Sequence, residues 1–573
     1  MPCARSRVGI GLTILVLSAT ASVAQSITAD PREAAAETST RERLDAWRRS
    51  IDQRAALLSA PARQTWIEPI EGEVPCSRID EVALADAVDG ALPSRLGRLT
   101  SDLGRFHGAC LGVRSIEALR TNLEARVAAL GYVTSTLTVP AQDLAGGRLT
   151  LTLHLGRLAG WRIETAGAAL SAEPAANAVA LQAGSVLNLR DIEQALENLN
   201  RLPSQAAGFR IEPGAAPGTS QVVIVPAGGS RWHGSLAAET TDTPSYGPLQ
   251  YNAGLSWDAP LGLSDQINLM GSLAQRAAAD GHARQSTALL SYSVPWGAHL
   301  FSVQWSRTAH LRPIQGGVSR FIEQGSDVST QLRWQWTAWR NGSSRLSLWA
   351  GSSRRLTRTL LEDTELLLRR RDSANLDAGI TLWQRHGCGD QSLEVDGGRV
   401  LRLARDESFQ SLPSHLPSTW RVQWSWDCAL ASPRGEGAAT SWLVTGRLWA
   451  QGVRHPAGSI DLVSLGSRWT VRGQDPSATL SGQGAWVARH ELTSPSQPLG
   501  AQGAVRWFAG IDHGRIRQAL DLGQAHHQLT GLASGLRWAW TGTTGEVTAA
   551  RPLGRQVPGA EGATWQASMA IHF

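Results

Sequence analysis

Apolar and polar residues alternate, position by position, through the second half of this chain. Leu332, Trp334, Trp336 and Ala338 interleave with Gln331, Arg333, Gln335 and Thr337, and Asn341-Gly342 then turns the chain into Leu346, Leu348 and Ala350. Trp420, Val422, Trp424 and Trp426 repeat the pattern, as do Phe301, Val303 and Trp305. A period of two sends alternate side chains to opposite faces of a strand, and Asn-Gly between two such runs marks a tight hairpin. One face is hydrocarbon and the other Arg, Gln, Ser or Thr, the division a closed sheet needs with lipid outside and water inside. Residues 232–573, at ~10 residues per strand plus turns, predict a transmembrane β-barrel of about sixteen antiparallel strands. An even number returns the last strand, with Trp565, Ala567, Met569, Ile571 and Phe573 on one face, to the side where the first begins.

The front of the chain follows other periods. Arg5 and Arg7 precede an apolar stretch over 8–17, and Ser22-Val23-Ala24 supplies small residues for cleavage, so residues 1–24 read as an export signal. Within 25–71, Asp30-Pro31 opens a helix in which Leu44, Trp47, Ile51, Ala55 and Leu58 recur at spacings of three and four. Such an amphipathic helix either packs on a neighbouring domain or plugs a polar pore, and periodicity does not choose between them. Residues 72–158 predict a small α+β domain: a strand over 78–82, a helix over 84–95, a helix over 115–130 capped by Ser115 and ended by Gly131, and strands over 132–139 and 148–155. Residues 159–228 predict a second unit, with a strand over 161–164, a helix over 188–200, and strands over 209–211 and 221–225. The shared order of strand, helix, helix, strand, strand indicates one module repeated, ahead of a barrel over 229–573.

Composition narrows the chemistry. Of 23 Trp, all but three lie beyond residue 230, as expected of aromatic girdles at the two membrane interfaces. The net charge of +5 falls by two to +3 once Arg5 and Arg7 leave with the signal, and no basic run suited to nucleic acid appears. Cys3 leaves too, and the four remaining cysteines have no CxxC spacing, so in an oxidising compartment they suggest two bridges. Cys76 and Cys110 would staple the first small domain. Cys388 and Cys428 fall on one periplasmic rim in successive turns, and whether they join depends on a separation that strand counting does not give. There is no GxSxG, HExxH or phosphate-binding loop, and His526-His527 stands without a partner at useful spacing; neither catalysis nor a cofactor or metal is expected.

Several motifs carry a resemblance: Pro75-Cys76, Gly108-Ala109-Cys110-Leu111, Gly131-Tyr132-Val133-Thr134 and Pro140-Ala141-Gln142-Asp143-Leu144 come in order through the first module. Asn188-Leu189-Arg190-Asp191 through Asn200-Arg201-Leu202-Pro203 occupies the second, and Pro260-Leu261-Gly262-Leu263-Ser264-Asp265-Gln266, Val471-Arg472-Gly473 and Arg551-Pro552-Leu553 follow in the barrel. Together these resemble the two-partner secretion transporters, the haemolysin and adhesin exporters called TpsB. The resemblance implies a plug helix, two POTRA domains in the periplasm and a sixteen-stranded outer-membrane barrel, working as a monomer that passes an unfolded secreted exoprotein to the cell surface. It implies a client-binding region around Asn188, Leu189, Arg190, Asp191, Asn200, Arg201, Leu202 and Pro203, where an extended client adds as a strand. It also implies a loop near 453–483 that folds back into the barrel, pairing Arg472, flanked by Val471 and Gly473, with Asp512 on the inner wall. Gln474 stands where the family usually has an aromatic residue. A barrel assembly factor is the alternative, and it would typically carry more POTRA units than two.

Overall fold

The computed structural model describes residues 66–573 except 69, 71, 89–91, 165–171, 242–243, 279–280, 316–318, 405–414, 431–440, 457–460, 476–478, 501, 520–527 and 555–561. The export signal, the amphipathic helix and His526-His527 lie outside these described residues.

Leu149, Leu151 and Leu153 project from one face of strand Arg148–His154 and are fully buried, the core of the first module. This central strand pairs in parallel with Glu81–Asp86 and antiparallel with Thr136–Thr138, and helix Val113–Ala129 packs on the sheet through Leu119, Leu123 and Val127. Two expectations are corrected here. The strand over 78–82 is two strands in separate sheets, Cys76–Ile79 and Glu81–Asp86, broken where Asp80 and Glu81 both donate to the Gly147 carbonyl. The helix over 84–95 is absent, since Glu81–Asp86 is held by its distant parallel partner and helical turns begin only at Ser94. Nor does Ser115 cap the second helix. That end is occupied by the Glu73 carboxylate, which accepts the N–H groups of Arg114 and Ser115 at 2.6 and 3.0 Å and the Ser115 hydroxyl at 2.5 Å. A carboxylate suits the positive end of a helix dipole.

The second module repeats the sheet: Arg157–Ile163 runs parallel to Thr219–Pro226, which runs antiparallel to Ala207–Pro213, the open edge. Helices Ala172–Val179 and Leu189–Asn200 cover one side through Ala175, Ala178, Ile192, Leu196 and Leu199.

Sixteen long strands then close into an antiparallel barrel, from Trp232–Thr240 round to Thr564–His572, which pairs with the first. Phe301, Trp305, Leu332 and Trp334 are exposed on its outer face, while the intervening positions line the lumen. The alternation carries one irregularity. Between Thr337 and Trp339 the register slips at Ala338, so the outer face passes to Trp339, which is 48% exposed, and not to Ala338 as the simple alternation expects. No helix among the described residues is long and apolar enough to cross a membrane; the crossing elements are strands.

Both cysteine pairs are bridged, Cys76 to Cys110 and Cys388 to Cys428, with Cα atoms 5.4 and 4.7 Å apart. Cys388 sits in the turn after the eighth barrel strand, Arg371–Arg385. Cys428 does not sit in a turn but near the end of the tenth strand, Ser418–Leu430, whose lower end meets that turn where Ala429 donates to the Cys388 carbonyl.

Candidate functional site

The eleventh strand, Trp442–Arg454, and the twelfth, Leu480–Thr493, are joined on the face away from the small modules by a connection that turns inward. Its short strand Val463–Leu465 pairs with Leu480–Gly482, which fixes its starting height inside the wall. Val463, Leu465 and Val471 then pack with Trp449, Ala485, Val487, Ile516 and Leu529 in a buried apolar cluster within the barrel. Those wall residues face inward, where the alternation calls for polar side chains; they are apolar because a loop, not water, lies against them.

Beyond this cluster the chain reaches a turn held by Thr470, whose hydroxyl accepts the N–H groups of Gly466 and Ser467 at 3.1 Å each. The turn aims Arg472 at the thirteenth strand, Gly503–Ala519. There Asp512 accepts Nε, Nη2 and the backbone N–H of Arg472 at 2.7, 2.8 and 3.0 Å. Arg472 is 4% exposed and Asp512 0%. Such a fork on a carboxylate fixes direction as well as distance. The seat leaves no space for side chains at two places. Gly473, at φ +82°, would put a Cβ 2.5 Å from the Arg551 carbonyl carbon, and a Cβ on Gly531 would lie 1.9 Å from the Arg472 carbonyl oxygen. Val-Arg-Gly and Arg551-Pro552-Leu553 thus meet in space, and Gln474 takes part by donating to the Thr530 carbonyl at 3.1 Å.

The pair has neighbours that sequence reasoning missed. Arg472 Nη1 donates to Glu491 at 3.1 Å, Glu491 also pairs with Arg537, and Arg537 reaches Glu546 at 2.6 Å. Arg489, directly across the strand register from Asp512, lies 3.5 Å from its carboxylate. Elsewhere on the loop, Arg468 meets Glu239 of the first strand at 3.1 Å and Asp461 meets Arg371 at 2.9 Å. Arg489 and Glu491 share the inward parity of their strand, and that signal was available in the sequence.

The segment from Asn188 to Pro203 lies largely against its neighbours. Asn188, Arg190, Arg201 and Leu202 are buried, Leu189, Asn200 and Pro203 half-buried, and only Asp191 is exposed. Leu189 N–H donates to the Gly131 carbonyl at 2.8 Å and Asn188 to that of Leu130 at 3.3 Å, joining the two modules. Arg190 is spent on Glu193, and Asn200 accepts the Ala207 N–H at 2.6 Å. Arg201 donates to the Ser264 carbonyl and the Ser293 hydroxyl, both at 2.7 Å, joining the second module to the barrel rim. Asn188, Leu189 and Arg201 thus make contacts between domains, while Arg190 pairs with Glu193 and Asn200 with Ala207 inside the second module. Glu197 on the same helix faces Arg340 and Arg345 at the rim, and Asn177 donates to the carbonyls of Leu263 and Pro295 at 2.7 and 2.8 Å.

With this geometry in hand, residues 218–538 match the model of the haemolysin secretion/activation protein ShlB/FhaC/HecB. The chain belongs to the haemolysin secretion/activation family. Residues 84–156 match the ShlB-type POTRA domain and 157–213 a POTRA domain. Outer membrane transporter CdiB-2 of Burkholderia pseudomallei is 28% identical over 91% of each chain, and outer membrane transporter CdiB of Escherichia coli is 27% identical over 88% of this chain and 83% of the relative. Among solved structures, CdiB from Escherichia coli superposes with a TM-score of 0.79 at 25% identity, covering 95% of this chain and 99% of that one. This member of the family is therefore an outer-membrane transporter of the two-partner secretion type, with its POTRA domains in the periplasm. Transport stands over barrel assembly, the alternative the sequence left open.

Proposed function

We propose that this transporter carries an unfolded exoprotein of the haemolysin or adhesin type through the barrel lumen, and that the inward loop is the gate it displaces. The observation that carries the reading is the loop's attachment: an apolar cluster and a buried Arg472–Asp512 fork hold it across the interior of the pore. Val471 and Gly473 serve that anchor by filling the cluster and by fitting against Arg551. The client docks on the periplasmic modules by adding a strand to the open edge Ala207–Pro213, and residues 188–203 act behind that edge by fixing the module to the rim. The amphipathic segment expected within residues 25–71 acts as a second plug, a single copy of the chain suffices, and folding of the client outside supplies the bias, because no nucleotide is available at this membrane.

Export separates this reading from a structural one. Arg472→Ala is expected to insert normally and to lose most secretion of its partner exoprotein, while a photo-crosslinker at Arg210 captures that partner in transit. Normal secretion by the variant would sink the gate, and secretion without crosslinks along 207–213 would sink the docking edge.

A further inference from the structure

The outer wall holds a second feature. Across the first four strands and the last runs a groove of about 620 Å³, lined by Leu236, Tyr251, Leu273, Met569 and Ile571 with Arg284 at one end. Its floor is set by register: Ile571, Leu236, Ala253, Gly271 and Ala288 lie side by side on successive strands, so small residues sink between large ones. A Cβ built on Gly271 meets nothing within 4 Å, so a side chain there would project freely over the floor.

One cation lines it and a second stands on the next strand. Arg284 stands on the lipid face near the start of the fourth strand, Gly281–Trp296, where that strand leaves the extracellular side. Arg307 is the register partner of Ala288 on the fifth strand and continues the same row. Both are exposed, and no carboxylate pairs with either among the described residues. Arg515 and Arg517, near the extracellular end of the thirteenth strand, are likewise exposed on the outer face. An outward arginine on a barrel's lipid face is costly at the midplane and tolerable only where it reaches an anionic headgroup.

We propose that the groove is a binding site for the phosphorylated glycolipid of the outer leaflet. An acyl chain lies along Leu236, Ala253, Gly271 and Leu273, and the phosphates are gripped by Arg284 and Arg307. The extracellular placement of Arg284 selects this lipid over inner-leaflet phospholipid. Guanidinium forks suit phosphate oxygens, and the floor suits a saturated chain.

The full chain purified in detergent is to be titrated with diphosphoryl lipid A, its dephosphorylated form and phosphatidylglycerol, with bound lipid counted by native mass spectrometry. Diphosphoryl lipid A is expected to bind preferentially. The double variant Arg284→Gln, Arg307→Gln weakens that binding roughly tenfold or more. Gly271→Leu, whose side chain enters open space, removes binding with both arginines intact and the barrel still heat-modifiable on gels. Equal binding by the arginine variant, by Gly271→Leu or by the dephosphorylated lipid overturns the site, and equal binding of phosphatidylglycerol overturns its assignment to glycolipid.

Discussion

Removing Asp512 should release the inward loop more completely than removing Arg472, and the structure says by how much. Both side chains are almost wholly out of water, so the surface value of ~0–1 kcal/mol does not apply. Breaking a buried pair from one side costs roughly 3–5 kcal/mol, because the surviving charge keeps its desolvation penalty. In Arg472→Ala the surviving carboxylate still has the loop's backbone N–H at 3.0 Å and Arg489 at 3.5 Å, which places the cost near the lower bound. In Asp512→Ala the anion between Arg472 and Arg489 is gone; Arg472 keeps only Glu491, and the two guanidinium groups repel, which places the cost near the upper bound. At about 1.4 kcal/mol per decade these are roughly a hundredfold and a few-thousandfold shifts toward the released loop. The double variant should cost less than Asp512→Ala alone, because the unpaired Arg472 guanidinium is gone as well, a strongly non-additive cycle. Backbone hydrogen exchange over residues 463–475, read in the detergent-solubilised full chain, measures the population directly, and planar-bilayer conductance measures its consequence. Wild-type protection in both single variants, or costs that simply add, would refute the reasoning.

Three further outcomes follow from other contacts. Gly531→Val should open the pore as Arg472→Ala does, because its Cβ meets the Arg472 carbonyl at 1.9 Å with the ion pair still present; unchanged conductance would show that the seat is not tight. Burial pushes the Glu197 carboxyl up, but Arg345 and Arg340 outweigh it and hold the carboxyl below its usual range, so the clasp between POTRA and rim keeps its full strength above the ordinary carboxylate pKa near ~4.3 and loosens only as pH falls through the lower folded value. Glu197→Gln should therefore speed exchange of helix Leu189–Asn200 at neutral pH, and equal rates would count against the clasp. Glu73 is likewise held low, by the Ser115 hydroxyl first, so amide protection at the start of helix Val113–Ala129 should persist at pH 5 and disappear at lower pH, and Glu73→Ala should lose it at every pH.

How much of this was legible in the residues varies with what each pattern responds to. Alternation in the barrel reports the lipid and water on its two sides, so strand number and outward faces could be read; the bulge at Ala338 could not, because one inserted residue leaves composition unchanged. Leu84 to Asp86, the second half of strand Glu81–Asp86, reads as helix since Ala and Leu favour helices locally, whereas its strand state depends on a parallel partner beginning at Arg148. Arg472 and Asp512 are reached by resemblance, not by spacing, for the chain between them crosses the twelfth strand and half of the thirteenth and carries no period. Asn188 to Pro203 reads as a segment rich in donors, but donors facing a neighbouring domain and donors facing a client look alike in one dimension.

The loop's attachment uses two kinds of force, and their difference bears on how it leaves. The apolar cluster of Val463, Leu465 and Val471 is non-directional and favours any inward position, whereas the ion network admits one register. In that network Arg468, Arg472, Arg489 and Arg537 balance Glu239, Glu491, Asp512 and Glu546. When the loop departs it takes Arg468, Arg472 and Asp461 with it, leaving the wall with Arg371, Arg489 and Arg537 against four anions. The vacated wall is net negative by one, which draws the loop back and meanwhile attracts cationic groups of anything threading past. Opening by Gly531→Val should therefore shift the pore's reversal potential in a potassium chloride gradient toward cation selectivity relative to the closed-loop protein. A shift toward anions would mean that the loop's arginines stay in the lumen, and that the gate deforms in place without leaving.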